Sequence, residues 1–233
     1  MSSFTVVDSI PPLWLQVVAV GIWVSLILLS AGGVKRFTKK DSEIVRKIVH
    51  IGTGNVILIA WWLDIPASIG IAASIIASLF TLLSYRFPIL PGINSVGRKS
   101  LGTFFYSVSI GVLIGWFWYL RQPFYAVIGI LIMAWGDGLA ALIGRRFGKH
   151  KYNVLGGQKS LEGSLTMTLV SFIVSILILQ SVQGNTWETW LISAVVAIVA
   201  TALEAISFLG IDNLTVPLGS AALAFVLNKL IIH

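Results

Sequence analysis

The sequence contains no cysteine. This absence excludes disulfides, thiolate metal sites and cysteine nucleophiles, and it leaves the redox compartment undecided. Charged residues are also scarce, since they make up 11% of the 233 residues, whereas soluble domains carry about one quarter. Hydrophobic residues account for 57%. These proportions indicate an integral membrane protein.

The sequence contains eight long apolar runs. A helix needs about 20 apolar residues to cross a bilayer, and the runs approach or reach that length. The second is short and contains His50, and the last contains Pro217 and Lys229, so seven helices remain an alternative. We predict an all-α fold, a polytopic transmembrane helix bundle that forms a single integral-membrane domain over residues 1–233. The runs cover residues 12–31, 48–63, 66–84, 101–120, 124–143, 164–180, 189–209 and 214–232.

Lysine and arginine are distributed unevenly along the chain. In a bundle of eight helices the connections at residues 32–47, 85–100 and 145–163 lie on one side, and they hold fourteen of the sixteen basic residues. Such an excess marks the cytosolic side of a membrane protein. It also explains the net charge of +7 without a nucleic-acid partner, which would need a clustered basic face with stacking aromatics. We expect a multi-pass membrane protein whose active face is cytosolic.

One acidic residue, Asp137, lies inside an apolar run. It precedes Arg145 by eight residues, which places it about 12 Å from the basic edge of its helix. A carboxylate at that depth is costly and usually marks a site, although pairing with a cation for packing specificity is an alternative. Gly136, Ala140 and Gly144 form a stripe of small residues that predicts the close approach of another helix.

Three further acids, Glu162, Glu204 and Asp212, fall on the same side of the membrane. Asp212 could simply cap the last helix, and Glu204 could be a paired charge at a helix end. Carboxylates beside lysine and arginine at one membrane face are nevertheless what a magnesium-nucleotide site requires. The metal binds oxygen ligands, and the phosphates bind cations.

The predicted loop at residues 145–163 combines glycines with basic residues. Glycine permits tight turns that direct backbone N–H groups at a phosphate, so we predict that this cytosolic loop binds a nucleotide. Its segment GGQKS lacks the glycine spacing of a Walker A loop, which argues against a P-loop ATPase. The same cations would also serve as ordinary anchors on the inner side. They are Arg145, Arg146, Lys149, Lys151 and Lys159.

Arg46 and His50 form a second pair of candidates, because residues four apart share a helical face. A snorkelling arginine and an interfacial histidine would explain them equally well. The three histidines of the chain, His50, His150 and His233, lack the spacing of zinc ligands. The sequence therefore argues against a zinc site.

Four motifs occur in a characteristic order: RKIVH, GDGLAALIGRRFG, GGQKSLEGS and DNLTVP. Over residues 46–217 the chain resembles the polyprenol kinase family, most closely its phytol kinase branch, with dolichol kinases and CDP-diacylglycerol synthases more distant. The resemblance implies transfer of the terminal phosphate of CTP, or another nucleoside triphosphate, to an isoprenoid alcohol such as phytol. It further implies Mg²⁺ as cofactor and contact with membrane lipid, since the tail of the alcohol would lie among the helices.

The resemblance also implies roles for particular residues. Asp137 would bind the metal or activate the hydroxyl, and Asp212 with Asn213 would bind the metal. The choice of base between Asp137 and Asp212 stays open. Glu162 and Lys159 would belong to the nucleotide loop, with His50 and Glu204 as further candidates. The expected nucleotide contacts are Arg46, Lys47, Arg145, Arg146, Lys149, Lys159 and Ser160.

Two other functions are compatible with some of these residues. A phosphatidate cytidylyltransferase-like enzyme would place CMP on a lipid phosphate, but its longer signature is missing. A small transporter would use Asp137 and Glu204 to carry protons or cations. The inverted repeats and interrupted helices typical of transporters are not found in the sequence, and the glycine-rich loop would have no purpose.

Overall fold

Helices make up most of the described chain, as the composition predicts. The computed structural model describes residues 10–37, 42–86, 101–154 and 157–231. This part of the chain contains ten α-helices, one π-helical turn and one β-hairpin. The elements are α1 (Leu13–Phe37), α2 (Ser42–Gly54), α3 (Val56–Trp62), α4 (Ala67–Arg86), α5 (Gly102–Phe117), α6 (Phe124–Leu131), the π-helical turn (Ile132–Asp137), α7 (Gly138–Phe147), β1 (Lys151–Val154), β2 (Gly157–Ser160), α8 (Leu161–Gln183), α9 (Trp187–Ala205) and α10 (Asp212–Ile231).

Two of the apolar segments combine more than one element. α2 and α3 together form the second segment, and α6, the π-helical turn and α7 together form the fifth. Within the described residues seven segments are long and apolar enough to cross a membrane, and α5 is a shorter apolar helix of 16 residues. The predicted run starts at residue 48, whereas α2 already starts at Ser42, so the second segment is longer at its start than predicted. The prediction of an all-α polytopic bundle is confirmed.

The fifth segment lies at the centre of the bundle. Every residue of α6 is buried, and Val127 and Ile128 have no exposed surface. A helix that is apolar all round is stable only when neighbours cover all its faces, and α5, α8 and α10 pack around this one. In α1 and α4, by contrast, most apolar side chains are exposed, as expected of helices that face lipid. The central position of this segment carries Asp137 into the interior.

The predicted loop at residues 145–163 is mostly regular structure. Arg145 and Arg146 belong to the last turn of α7, and Glu162 to the first turn of α8. Between the two helices, β1 pairs antiparallel with β2. The Ser160 hydroxyl caps α8 by accepting a hydrogen bond from the Gly163 backbone N–H at 3.2 Å. The hairpin is thus fixed directly to the start of α8.

The stripe of small residues packs against α8, as predicted. A Cβ atom on Gly136 would lie 2.7 Å from the Met167 sulfur, and one on Gly144 would lie 2.9 Å from the Ser160 hydroxyl. Real Cβ atoms do not approach heavy atoms so closely, so a side chain at either position would force Met167 or Ser160 to shift. The close contact brings the inner end of the central segment against the capped start of α8 and the hairpin.

Candidate active site

A charged cavity of about 1180 Å³ lies where several helix ends converge. The starts of α2, α5, α8 and α10, the length of α7, the end of α9 and the hairpin all contribute to its lining. Ligand pockets commonly measure about 300–1,000 Å³, so this cavity is large enough for a nucleotide with a second ligand. The predicted site residues that line it are Arg46, Lys47, Asp137, Arg145, Lys159, Ser160, Glu204, Asp212 and Asn213.

Asp137 is held by a buried lysine. The Lys47 ammonium donates to Asp137 Oδ2 at 2.5 Å and lies 3.4 Å from the Asp137 backbone oxygen. Both side chains are almost fully buried, with 3% and 11% exposure. A buried carboxylate stays charged only with a close partner, and Lys47 provides it. The sequence predicts Lys47 as a phosphate contact, whereas the structure directs its ammonium at Asp137.

The backbone around Asp137 is irregular. The π-helical turn ends at Asp137, and such turns are rare and frequent at functional sites. It faces the break between α2 and α3, where the Trp135 indole donates to Asn55 Oδ1 at 2.8 Å. His50 Nε2 lies 3.3 Å from the Met133 oxygen and 3.8 Å from Asp137 Oδ2. These contacts fix the depth and direction of the carboxylate.

A second ion pair joins the hairpin to α9. The Lys159 ammonium on β2 bonds to the Glu204 carboxylate, which is buried at the end of α9. Burial lowers the pKa of Lys159, but the carboxylates of Glu204, Asp137 and Asp212 together outweigh burial, so the pKa lies above the ordinary value of lysine. Lys159 therefore keeps its positive charge at the wall of the cavity.

Asp212 contributes a further carboxylate to the charged cavity. It begins α10, and its Oδ1 accepts hydrogen bonds from the backbone N–H and the side-chain amide of Asn213, both at 3.1 Å. It interacts electrostatically with Asp137 and with Lys159 across the cavity. Within the described residues no lysine or arginine lies within ion-pair distance of Asp212. Of the four carboxylates that line the cavity, those of Glu43, Asp137 and Glu204 are ion-paired, and Asp212 has no lysine or arginine partner in the described part of the chain.

These residues could hold a magnesium ion together with phosphate. The described residues contain no group of three or more histidine, cysteine or acidic side chains that would form a complete metal cage. Mg²⁺, however, usually binds through one or two carboxylates, water and substrate phosphates. Asp137, Asp212 and Asn213 fit that kind of partial site.

Four predicted site residues do not line the cavity. Glu162 accepts from His150 Nδ1 at 2.8 Å and from the His150 backbone N–H, so it ties the hairpin to α8. Arg146 points its guanidinium over the Phe147 ring, 5.3 Å from the ring centroid. Lys149 is exposed, and the nearly buried His50 contacts Asp137, with its Nε2 3.8 Å from Asp137 Oδ2.

The cavity also contains residues that were not predicted for the site. Glu43 pairs with Arg46 at 2.5 Å, and it could have been recognised as the acid that precedes RKIVH by one helical turn. Thr103 at the start of α5 and Ser164 on α8 carry no signal in the sequence beyond their polarity. Lys151 is one of the five basic residues of the predicted loop and is not among the expected nucleotide contacts, yet it lines the cavity wall.

The fold and the cavity together define a multi-pass membrane protein with a charged, phosphate-compatible site at one end of the bundle. The chain is 50% identical over 214 residues to phytol kinase of Synechocystis sp., and the match covers 92% of each chain. It is 32% identical to probable phytol kinase 1 of Glycine max over 77% of this chain and 65% of that protein. It is 28% identical to farnesol kinase of Arabidopsis thaliana, over 80% and 66% of the two chains. The chain belongs to the phytol kinase family. No family model and no solved structure matches the sequence.

Proposed function

We propose that this protein is a lipid-alcohol kinase that transfers the terminal phosphate of a nucleoside triphosphate, CTP, to the hydroxyl of phytol or a similar isoprenoid alcohol. The observation that carries the proposal is a buried, ion-paired Asp137 in a cavity whose walls carry Lys159, Arg46 and Arg145. Relatives named for phytol and farnesol supply the class of alcohol.

The cations of the cavity would bind the phosphates. Arginine forks and lysine ammonium groups form strong charge-assisted bonds to phosphate oxygens. Lys159 is already charged and held by Glu204, so a phosphate would share or take over its ammonium. Phosphoryl transfer depends mainly on positioning and charge neutralisation, and a wall of this charge suits both.

Mg²⁺ would be held by Asp137 and Asn213 together with the phosphates. When bound, the ion neutralises charge that develops on the phosphate oxygens. Lys47 keeps Asp137 ionised, so the carboxylate is ready to act as an oxygen ligand. In this proposal the ammonium of Lys47 supports the metal ligand, which differs from the predicted role of Lys47 as a phosphate contact.

The proton of the alcohol would pass to Asp212. In the reaction the hydroxyl oxygen bonds to the terminal phosphorus, the bond to the nucleoside diphosphate breaks, and the hydroxyl proton must be accepted. An ion-paired carboxylate such as Asp137 binds a proton less readily than one without a neighbouring cation. Asp212 is the carboxylate in the cavity with no described lysine or arginine at ion-pair distance.

The test uses membranes that contain the protein, with Mg²⁺, phytol and CTP labelled at either the γ-phosphate or the α-phosphate. We expect phytol-dependent transfer of label from the γ position to the lipid fraction. Asp137→Asn should lower the rate about 100-fold or more, because a charge that stabilises the transition state is lost. The rate is compared at equal amounts of folded protein, since the change also leaves Lys47 buried without its partner. Asp64→Asn is the matched control, since Asp64 lies in the turn between the end of α3 and the start of α4, at the end of the bundle opposite the charged cavity.

Other outcomes would change the assignment. Label from the α position with phosphatidate as acceptor would indicate a cytidylyltransferase. Equal or better transfer from ATP or UTP would replace CTP as the donor. If no combination of nucleotide and alcohol gave labelled lipid, the kinase proposal would be wrong, and proton or cation transport would be measured next.

A further inference from the structure

A second cavity, of about 320 Å³, lies between α8 and α9. We call it the α8/α9 groove. Its floor is formed by small side chains of α9, including Ala194 and Ala197, and Thr168 is its one polar residue. The apolar side chains along its edges, Leu165, Leu169 and Ile198, are between 60% and 69% exposed, so in this bundle they face lipid.

The α8/α9 groove continues from the charged cavity along one face of α8. Ser164 lines the charged cavity, and Thr168, one turn further along the same face, lines the groove. Thr168 Oγ1 bonds to the Ser164 backbone oxygen at 3.0 Å and to Thr201 Oγ1 across on α9 at 2.9 Å. The nearest lining residues of the two cavities therefore lie one helical turn apart on the same face of α8, joined by these hydrogen bonds.

The groove has the length and direction of a membrane-embedded chain. From Leu165 to Phe172 it follows α8 for about 10 Å at 1.5 Å per residue. Half of the hydrocarbon core of a bilayer measures about 15 Å. A hydrocarbon chain in the groove would thus run from the polar end of the bundle toward the middle of the membrane.

We propose that the α8/α9 groove binds the isoprenoid chain of the alcohol substrate, with the hydroxyl at the Ser164 end inside the charged cavity. This inference rests on the proposed kinase function. The small side chains of Ala194 and Ala197 in the floor would leave room for the methyl branches that distinguish an isoprenoid from a straight acyl chain. Because the groove is short, it contacts only the part of the chain nearest the hydroxyl, and alcohols that differ at the far end are bound alike.

The kinetic test fills the groove with Ala194→Phe, and Ala73→Phe on the lipid-facing side of α4 is the matched control. We expect the variant to raise the KM for phytol about tenfold and to leave the KM for CTP unchanged. Phosphorylation of dimethylallyl alcohol should be unaffected, because its single isoprene unit is too short to reach Ala194, which lies seven residues, about 10 Å, beyond Thr201 on α9. An unchanged KM for phytol in an enzyme that is active on phytol would overturn the groove and leave the kinase proposal intact.

A binding test examines the groove independently of the proposed kinase activity. A phytol analogue with a diazirine in the middle of its chain is photolysed on the protein in detergent micelles, and the modified peptides are identified by mass spectrometry. We expect labels on α8 and α9 that excess phytol removes and excess phosphatidylglycerol does not. Labels elsewhere, or labels removed equally by phosphatidylglycerol, contradict the groove as an isoprenoid site. Specific labelling without phosphoryl transfer contradicts the kinase but supports the groove.

Discussion

At the scale of single residues, the pair of Lys47 and Asp137 controls both stability and chemistry. Removing one partner of a buried ion pair leaves an uncompensated charge, which costs about 3–5 kcal/mol. We therefore expect Lys47→Met to lower the thermal midpoint of the protein in detergent strongly and to abolish activity. Lys35→Met serves as the control, because Lys35 is exposed at the end of α1.

The double variant Lys47→Met with Asp137→Asn separates the two effects. It contains no unpaired buried charge, so its thermal midpoint should return close to that of the unmodified protein while activity stays lost. If Lys47→Met alone were fully stable and differed only in its KM for the nucleotide, Lys47 would be a phosphate contact, as the sequence predicts, and not the support of Asp137.

At the scale of elements, the contact of α7 with α8 positions the hairpin and hence Lys159. A methyl group at Gly144 would meet the Ser160 hydroxyl at 2.9 Å and the Gly163 Cα at 3.4 Å. Overpacking of this kind costs about 1–3 kcal/mol. We expect Gly144→Ala to lower the thermal midpoint and to raise the KM for the nucleotide more than the KM for the alcohol.

The control for Gly144→Ala is Gly21→Ala on α1, where a Cβ would meet nothing within 4 Å. That change should be neutral or slightly stabilising, because alanine favours the helix over glycine by about 1 kcal/mol. A Gly144→Ala enzyme with unchanged kinetics and stability would show that α7 and α8 tolerate a wider spacing than the contact suggests.

Some of these elements could be predicted from the sequence, and others could not. Hydrophobic runs predicted the helices, because burial in lipid requires long apolar segments, and the small-residue stripe correctly predicted a close helix contact. The π-helical turn was not predicted, since its extra residue depends on packing against α2 and α8. The sequence predicts a loop and not the hairpin over residues 145–163, because the two strands are only four residues long and mostly polar. The partner of Asp137 lies 90 residues earlier in the chain, a distance that no local pattern bridges.

At the scale of the whole molecule, the bundle has a basic end and an opposite end rich in tryptophan. Trp14 lies at the start of α1, Trp62 and Trp116 lie at the ends of α3 and α5, and Trp187 begins α9. The charged cavity opens at the basic end, where the cations of α2, α7 and the hairpin meet. Excess positive charge keeps a membrane segment on the cytosolic side, so we predict that the cavity faces the cytosol and that the connection between α8 and α9 faces the opposite compartment.

The absence of cysteine makes this orientation directly measurable, because a single introduced thiol is the only one in the chain. Lys149→Cys places it beside the hairpin, and Asn185→Cys places it in the connection between α8 and α9; both positions are exposed. In intact cells a membrane-impermeant maleimide should label Asn185→Cys, whereas Lys149→Cys should react only after permeabilisation. The reverse pattern would place the cavity outside the cytosol, away from cellular nucleoside triphosphates, and would contradict the kinase at the level of the whole protein.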